Sequence, residues 1–283
     1  MVLESLIGVK QAENSPWYVF MLGFLYASVA TFLSLWIFRS EASLILVFLI
    51  VFASLPLIYK TLKFEAYKDL KLKSTDNLPS SHFRALRAFM YLFLGSVLAM
   101  SIWYVFLPSE IIYDLFASQI STIQAVNSSS TTGNVTAWNF LSVIIVNNLK
   151  VLTFCILFSF FFGAGAIFIL TWNASVISAA IGNFIRTNMS QYAESFGLIK
   201  VAGYFHIFSM GLLRYMMHGV FEILGYFIGG LAGGLISVAM LHKEFEGDQF
   251  KKIMKDSIDL IILAVLVIIV AGLVEVFVTP LFF

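Results

Sequence analysis

The stretch YMMHGVFEILGYFIGGLAGG, residues 215–234, decides the fold class of this chain. It is apolar over its whole length except at His218 and Glu222, and it contains six glycines. Such a run is typical of a helix that crosses a membrane, since about 20 residues span a hydrocarbon layer of about 30 Å. An ionisable side chain inside hydrocarbon is costly. The stretch therefore predicts that other helices shield His218 and Glu222 from lipid.

The composition of the 283-residue chain is too apolar for a water-soluble globule. Hydrophobic residues make up 60% of it and charged residues 12%, with a mean hydropathy of +0.93; soluble domains are about half apolar and about a quarter charged. We therefore expect an integral membrane protein. A net charge of +1 argues against a nucleic-acid partner, which needs a basic surface. The single cysteine, Cys155, excludes an intrachain disulfide and a cysteine metal cluster.

Six apolar runs have the length and composition of membrane-crossing helices. They cover residues 17–38, 44–59 with their flanks, 88–107, 151–172, 220–240 and 258–278. The region 173–217 is ambiguous, because its apolar stretches are either short or interrupted by Lys200, His206 and Arg214. One further crossing there, with a broken or re-entrant segment near 173–190, fits the pattern. The sequence thus predicts an all-α polytopic transmembrane helical bundle of about 6–7 spans.

The distribution of basic residues predicts the orientation of these spans. Residues 60–87 carry seven Lys or Arg and residues 242–256 carry four, whereas residues 108–138 carry none. We expect the first two segments to be cytoplasmic and 108–138 to be an external loop. Seven crossings follow, with the N-terminus in the cytoplasm and the C-terminus outside the cell membrane.

The expected external loop also contains two glycosylation sequons. They place candidate glycosylation sites at Asn127 and Asn134. A third sequon begins at Asn173 but falls at membrane depth, where no glycan is attached. Glycosylation of the loop would suit an archaeal or other glycosylating cell surface.

Ionisable residues and glycines share one face of the helix predicted from the opening stretch. At spacings of three and four residues the face carries Arg214, His218, Glu222, Gly225, Gly229 and Gly233. Small residues at four-residue intervals let a second backbone approach closely, so this face should contact protein rather than lipid. Two interpretations of the ionisable residues stay open. The favoured one is a polar clamp between helices that fixes their register, and the other is an ion or proton site.

We expect four further polar residues in the same intramembrane region. They are Asn147, Asn148 and Lys150 at the external start of the fourth predicted span, and Asn173 just after that span. Near an interface Lys150 can extend towards the head groups. Asn173 is expected to end a helix or to bond between helices, and Gly163 to serve helix packing. Glu275, near the outer end of the last span, is expected to reach lipid head groups.

Enzyme signatures are missing from the sequence. It contains no H-E-x-x-H, no G-x-S-x-G, no P-loop and no dinucleotide-binding fingerprint. His218 and Glu222 alone supply too few ligands for a zinc site. We therefore expect a protein that is not an enzyme and holds no metal or cofactor.

Two stretches carry a resemblance to a known family. They are NNLKVLTFCILFSFFFGAGAIFILTWNA, residues 147–174, and HGVFEILGYFIGGLAGGLIS, residues 218–237. The first is similar to the Asn-Asn-basic entry and glycine-containing span of the stage II sporulation protein M family. The second resembles the His-Gly-x-x-Glu helix of that family. The chain departs from the family pattern at Met217, where a proline is common, and at Ala174, where a glycine is common.

The resemblance extends over about residues 84–283 and divides the chain in two. Residues 1–83 then form an added N-terminal transmembrane hairpin with a basic cytoplasmic linker, and 84–283 form the family's transmembrane domain with the external loop 108–138. In sporulating bacteria, members of the family act as membrane partners of a cell-wall-degrading engulfment complex. The resemblance therefore implies a non-enzymatic envelope component that organises partners.

Two functional hypotheses remain at this point. The leading one is a membrane scaffold or anchor whose partners are lipid, other envelope proteins or a second copy of the chain. The alternative is a channel or transporter that uses the intramembrane histidine, glutamate and arginine.

Overall fold

The computed structural model describes residues 8–71, 78–130, 137–162, 165–189, 197–241 and 247–282. Nearly all of these residues are helical and none of them forms a strand. A helix satisfies its backbone hydrogen bonds within its own segment, which a chain dissolved in hydrocarbon requires. In chain order the helices are α1 (Val9–Asn14), α2 (Pro16–Ile37), α3 (Ala42–Lys71), α4 (Leu78–Phe106), α5 (Ser109–Ser130), α6 (Ala137–Phe162), α7 (Ala166–Met189), α8 (Gly197–Leu241) and α9 (Asp248–Leu273).

Short irregular turns complete the described helices. A 3-10 turn, Arg39–Glu41, separates α2 from α3. After α9 the chain continues in a π-helical turn, Val274–Val278, and a 3-10 turn, Thr279–Leu281. Pro16 occupies the start of α2, where its missing N–H is not needed.

Seven of the described helical segments are long and apolar enough to cross a membrane. They contain α2, α3, α4, α6, α7, α8 and α9. This confirms the prediction of an all-α polytopic transmembrane bundle. Their number also equals the seven crossings that the charge pattern predicted. The orientation of the bundle stays a prediction.

The boundary between α6 and α7 lies within an apolar run that we expected to cross the membrane as one span. The predicted span 151–172 is wrong, because α6 ends at Phe162 and α7 begins at Ala166. Hydropathy does not detect the boundary between the two helices, since the sequence around it, FFGAGAI, contains only apolar and small residues. The two helices that replace the single predicted span are Ala137–Phe162 and Ala166–Met189.

The broken or re-entrant segment expected near 173–190 is also wrong. Residues 166–189 form one continuous helix, α7. Asn173 lies within it, and its Nδ2 donates to the carbonyl of Ile169 at 2.8 Å. A short polar side chain that bonds to the preceding turn interrupts the apolar pattern without ending the helix. The extra crossing expected in this part of the chain is supplied by α7.

Helix α8 is the longest described helix and lies at the centre of the bundle. Its 45 residues correspond to about 68 Å, roughly twice the thickness of the hydrocarbon layer. The half that includes residues 225–239 is buried, whereas Leu198, Ile199 and Phe205 near its start are exposed. The predicted span 220–240 is therefore the buried part of a longer helix.

The predicted external loop 108–138 contains a helix that enters the bundle. Helix α5 has a kink at Phe116, where φ is −125° and ψ is 20°. Just beyond the kink, Nε2 of Gln119 donates to Oγ of Ser175 at 3.0 Å. Ser175 lies near the middle of α7, so α5 reaches halfway down that helix. The part of the predicted external loop that enters the bundle is therefore α5, within residues 108–138. The irregular segment was expected instead near residues 173–190.

Helices α2 and α4 run parallel and make backbone contact. A Cβ on Gly23 would meet the carbonyl of Leu92, and one on Gly95 would meet the carbonyl of Phe20. Only glycine permits so close an approach. This contact joins helices on both sides of residue 83, where the sequence suggested a division into two parts. That division stays a prediction.

Candidate functional site

The candidate site is a polar cluster where α6, α8 and the turn after α9 meet. Asn148 of α6 donates from Nδ2 to Oε1 of Glu222 on α8 at 2.6 Å. The carboxyl group of Glu275, in the π-helical turn Val274–Val278, lies next to that of Glu222. Three separate elements therefore supply one group each, and the groups of Asn148 and Glu275 converge on Glu222.

Glu222 and Glu275 bring two carboxyl groups together inside the bundle. An ionised carboxylate only accepts hydrogen bonds, so two carboxyl groups bond to each other only when one of them is protonated. The amide of Asn148 supplies a further donor to Glu222. Within a membrane, these bonds replace the water that would otherwise solvate the carboxyl groups. The cluster joins α6, α8 and the turn after α9.

A second contact links the same two elements one helical turn away. Nδ1 of His218 lies 3.5 Å from Oγ1 of Thr279. The hydroxyl of Thr279 also donates to the carbonyl of Val274 at 3.1 Å, which holds the turn in place. His218 precedes Glu222 by one turn and Thr279 follows Glu275 by one turn, as expected for antiparallel elements.

The glycines of α8 place its backbone against the two helices that complete the cluster. A Cβ on Gly225 would lie 2.9 Å from Cδ1 of Ile268 in α9. A Cβ on Gly233 would meet the backbone carbonyl of Ile156 in α6, and one on Gly229 would meet the side chain of Leu152 in α6. The glycine face is thus divided between α9 and α6. Close packing on both sides brings Asn148 and Glu275 within reach of Glu222.

The other predicted members of the cluster lie elsewhere. Arg214 is exposed, and its guanidinium lies over the ring of Phe184 at 5.6 Å. Asn147 and Lys150 flank Asn148 in sequence but are exposed on α6. Asn173 bonds within α7, as described above. The structure therefore brings together Glu222 and Asn148, with His218 beside them.

Three predicted residues fall where the structure gives no account of them. Gly163 and Asn134 lie outside the described residues, and so does the side chain of Asn127. The packing role of Gly163 and the glycosylation of the two asparagines stay predictions.

Glu275 and Thr279 are the members of the cluster that sequence reasoning missed. Glu275 was expected to reach lipid head groups, but its carboxyl group meets Glu222 instead. The available signal was its position as an ionisable residue within an apolar run, which usually faces the bundle interior. The π-helical turn that directs Glu275 inward has no sequence signature.

A second polar pair lies in the region expected to be a basic cytoplasmic linker. Nδ1 of His82 lies 2.6 Å from Oε2 of Glu65, and both side chains are 0% exposed. Glu65 belongs to α3 and His82 to α4, so both helices extend into the predicted linker. Nη2 of Arg87 also donates to the carbonyl of Glu13 at 2.9 Å. The described residues at both ends of this range, which include Glu65, His82 and Arg87, are therefore part of the packed bundle.

The groups in these clusters do not resemble a metal centre. Within the described ranges, no three His, Cys, Asp or Glu side chains are close enough together to hold a metal ion. Cys155 is buried in α6, where it packs as a small apolar residue.

Comparison with known proteins assigns the chain to a family. The family model described as stage II sporulation protein M matches residues 24–280. No curated protein matches the chain, and no solved structure matches it. The family match begins within α2 and ends beyond α9, so it includes nearly every helix described above as well as the cluster around Glu222. The chain therefore belongs to the stage II sporulation protein M family and is a multi-pass membrane protein.

Proposed function

We propose that this protein is a non-enzymatic membrane scaffold that organises envelope partners. The observation that carries this proposal is the joining of α6, α8 and the turn after α9 through Asn148, Glu222 and Glu275. Each polar group in the cluster is engaged by another helix. An arrangement of this kind fixes the register of helices, which is the best-attested role of buried polar groups.

The cost of the cluster supports a role in specificity. A glutamate at the centre of a membrane helix costs about 2.5–3.5 kcal/mol on insertion scales, and pairing reduces that cost without removing it. An apolar residue at position 222 would avoid it. The close contacts at Gly225 and Gly233 supply the packing that holds helices together in lipid. The polar cluster then selects one register among those that the glycines allow, so the bundle presents a defined surface to its partners.

The scaffold role is tested by the recovery of partners. Tagged protein is purified in a mild detergent from membranes of the organism that produces it, together with a Gly233→Leu variant that separates α6 from α8. Envelope proteins should co-purify with the wild type and be reduced at least severalfold with the variant, at equal amounts of monodisperse bait. A Gly219→Ala variant is the control, because a Cβ at Gly219 meets only Cε of Met216, at 3.9 Å. Failure of the wild type to retain any specific envelope protein would refute the scaffold role.

A channel or transporter is the second candidate, and one observation favours it. The carboxyl groups of Glu222 and Glu275 lie next to each other inside the bundle, and His218 lies one turn from Glu222. Intramembrane carboxyl and imidazole groups are the usual components of proton relays.

Proton flux separates the two candidates. The protein is reconstituted in liposomes that contain a pH-sensitive dye, and a pH gradient is imposed with a counter-ion pathway open. The scaffold proposal expects flux equal to that of empty liposomes. Flux above this level that the Glu222→Gln variant abolishes would support a transporter instead. Glutamine keeps the size and the hydrogen bonds of a protonated carboxyl group. A loss of flux in the Glu222→Gln variant would therefore show that flux requires a titratable proton at position 222.

A further inference from the structure

A polar cavity lies between α4, α5 and α7, apart from the Glu222 cluster. Its volume is about 280 Å³. Polar side chains that line it come from all three helices, and they are Tyr104, Ser109, Tyr113, Gln124, Asn183 and Arg186. It lies where α4 ends and α5 begins, at the end of the bundle that the charge pattern assigns to the outside. These side chains offer hydroxyl, amide and guanidinium donors.

Arg186 is the charged group in this cavity, and its position is fixed by neighbouring acceptors. Its Nη1 donates to the carbonyl of Leu107 at 2.8 Å and to that of Tyr104 at 3.3 Å. Its Nη2 donates to Oγ of Ser109 at 2.8 Å. A guanidinium has five N–H groups, so three are engaged and two are left for a ligand. The bonds hold the guanidinium rigid without neutralising its charge.

Nearby acidic residues do not supply the missing negative charge. Across the ranges that the structure describes, Arg186 forms no ion pair with a carboxylate. Asp114, which follows the cavity residue Tyr113 in α5, is paired with Arg39, whose Nε lies 2.8 Å from Oδ2 of Asp114. A half-buried cation without a partner carboxylate is costly in a protein. An anionic ligand would offset that cost.

We propose that this cavity binds the phosphate-bearing head group of a membrane lipid. Arginine matches the oxygens of phosphate better than other cations because its N–H groups form a planar fork. The amides of Asn183 and Gln124 supply further donors. Exposed aromatic side chains at this end of the bundle favour a lipid over a soluble anion, since Tyr113, which lines the cavity, is 66% exposed and Phe106, at the end of α4, is 77% exposed. Aromatic side chains of this kind lie at the level of lipid head groups. The proposal is independent of the scaffold role.

Direct binding measurements in a neutral detergent test the site. The probes are a short-chain phosphatidylglycerol, the diacylglycerol with the same acyl chains, and inorganic phosphate, each detected by native mass spectrometry and by calorimetry. The phosphatidylglycerol should bind and the diacylglycerol should not. The Arg186→Gln variant should weaken the binding at least tenfold, which corresponds to about 1.4 kcal/mol. The control Arg39→Gln removes an arginine from the same end of the bundle and should change the affinity less than twofold.

A second variant distinguishes the loss of the binding site from misfolding of the protein. Arg186 also holds the carbonyls at the end of α4, so its loss can disturb the helix. The Asn183→Leu variant keeps those bonds and fills part of the cavity, and it should weaken lipid binding severalfold while the protein stays monodisperse. Equal binding by wild type and both variants, or equal binding of the diacylglycerol, would overturn the proposal. Inorganic phosphate that displaces the lipid at similar concentrations would overturn the lipid assignment and identify a soluble phosphate as the ligand.

Discussion

Replacing Gly233 by alanine tests the contact between α6 and α8 with a single methyl group. The new Cβ would meet the backbone carbonyl of Ile156 and would lie 3.1 Å from Cβ of Ser159. A backbone carbonyl within a helix cannot move alone, so α6 must shift as a whole. Alanine at Gly219 is the matched control, because there the nearest atom is Cε of Met216 at 3.9 Å.

The two substitutions should have opposite effects on stability. Overpacking costs about 1–3 kcal/mol, while exchange of glycine for alanine in a helix gains about 0.5–1 kcal/mol. Because α6 must shift as a whole, we take a cost of about 2–3 kcal/mol and a gain of about 1 kcal/mol, so Gly233→Ala should lose about 1–2 kcal/mol net, whereas Gly219→Ala should gain about 0.5 kcal/mol. At about 2–4 °C for each kcal/mol, Gly233→Ala lowers the unfolding temperature by about 2–8 °C.

Thermal unfolding of both variants in one detergent measures this difference. Loss of the monodisperse peak after heating provides a second reading that does not depend on spectroscopy. Equal stability of Gly233→Ala and the wild type would refute the close packing of α8 against α6. Equal changes in stability at Gly233 and Gly219 would do the same, because they would reflect a general effect of alanine in a helix and not a contact of residue 233 with α6.

Two further predictions concern α5 and the pair at the other end of the bundle. In whole cells, a membrane-impermeant thiol reagent should label the Tyr113→Cys variant readily and the Gln119→Cys variant much more slowly, because Gln119 is buried against Ser175. The native Cys155 is buried and should not contribute to the labelling. Equal labelling at both positions would contradict the insertion of α5 into the bundle. Glu65→Ala should destabilise the protein by about 3–5 kcal/mol because it leaves His82 in a buried site without its carboxylate. The exposed Glu41→Ala serves as the control for thermal unfolding, and a Glu65→Ala protein as stable as this control would show that the pair adds nothing.

The membrane character and the number of spans were accessible from the sequence, whereas the ends of some helices were not. The bilayer constrains both the length of apolar runs and the placement of lysine and arginine in the connecting segments. These two features were therefore sufficient to predict seven crossings. The boundary between the helices that end at Phe162 and begin at Ala166 carries no polar residue and no proline. Hydropathy therefore predicted one continuous span across it. Asn173 had the opposite effect, since a polar side chain bonded to its own helix looked like a break.

The candidate site was predictable on α8 alone. The spacing of His218, Glu222 and the glycines follows from helical geometry, so the face that they share could be derived from the sequence. Which helices pack on that face depends on tertiary contacts. Glu275 reaches Glu222 through a π-helical turn, and α5 enters the bundle through a kink at Phe116. Neither irregularity has a sequence signal that distinguishes it from a regular helix.

A double-mutant cycle between Asn148 and Glu222 tests most directly whether a polar cluster joins α6 to α8. Asn148→Leu and Glu222→Met keep the approximate size of each side chain, and unfolding free energies are measured for both single variants, the double variant and the wild type. The 2.6 Å hydrogen bond predicts that each single variant leaves a polar partner unsatisfied, with a coupling of at least about 1 kcal/mol between the two positions. Effects that add within about 0.5 kcal/mol would contradict the clamp.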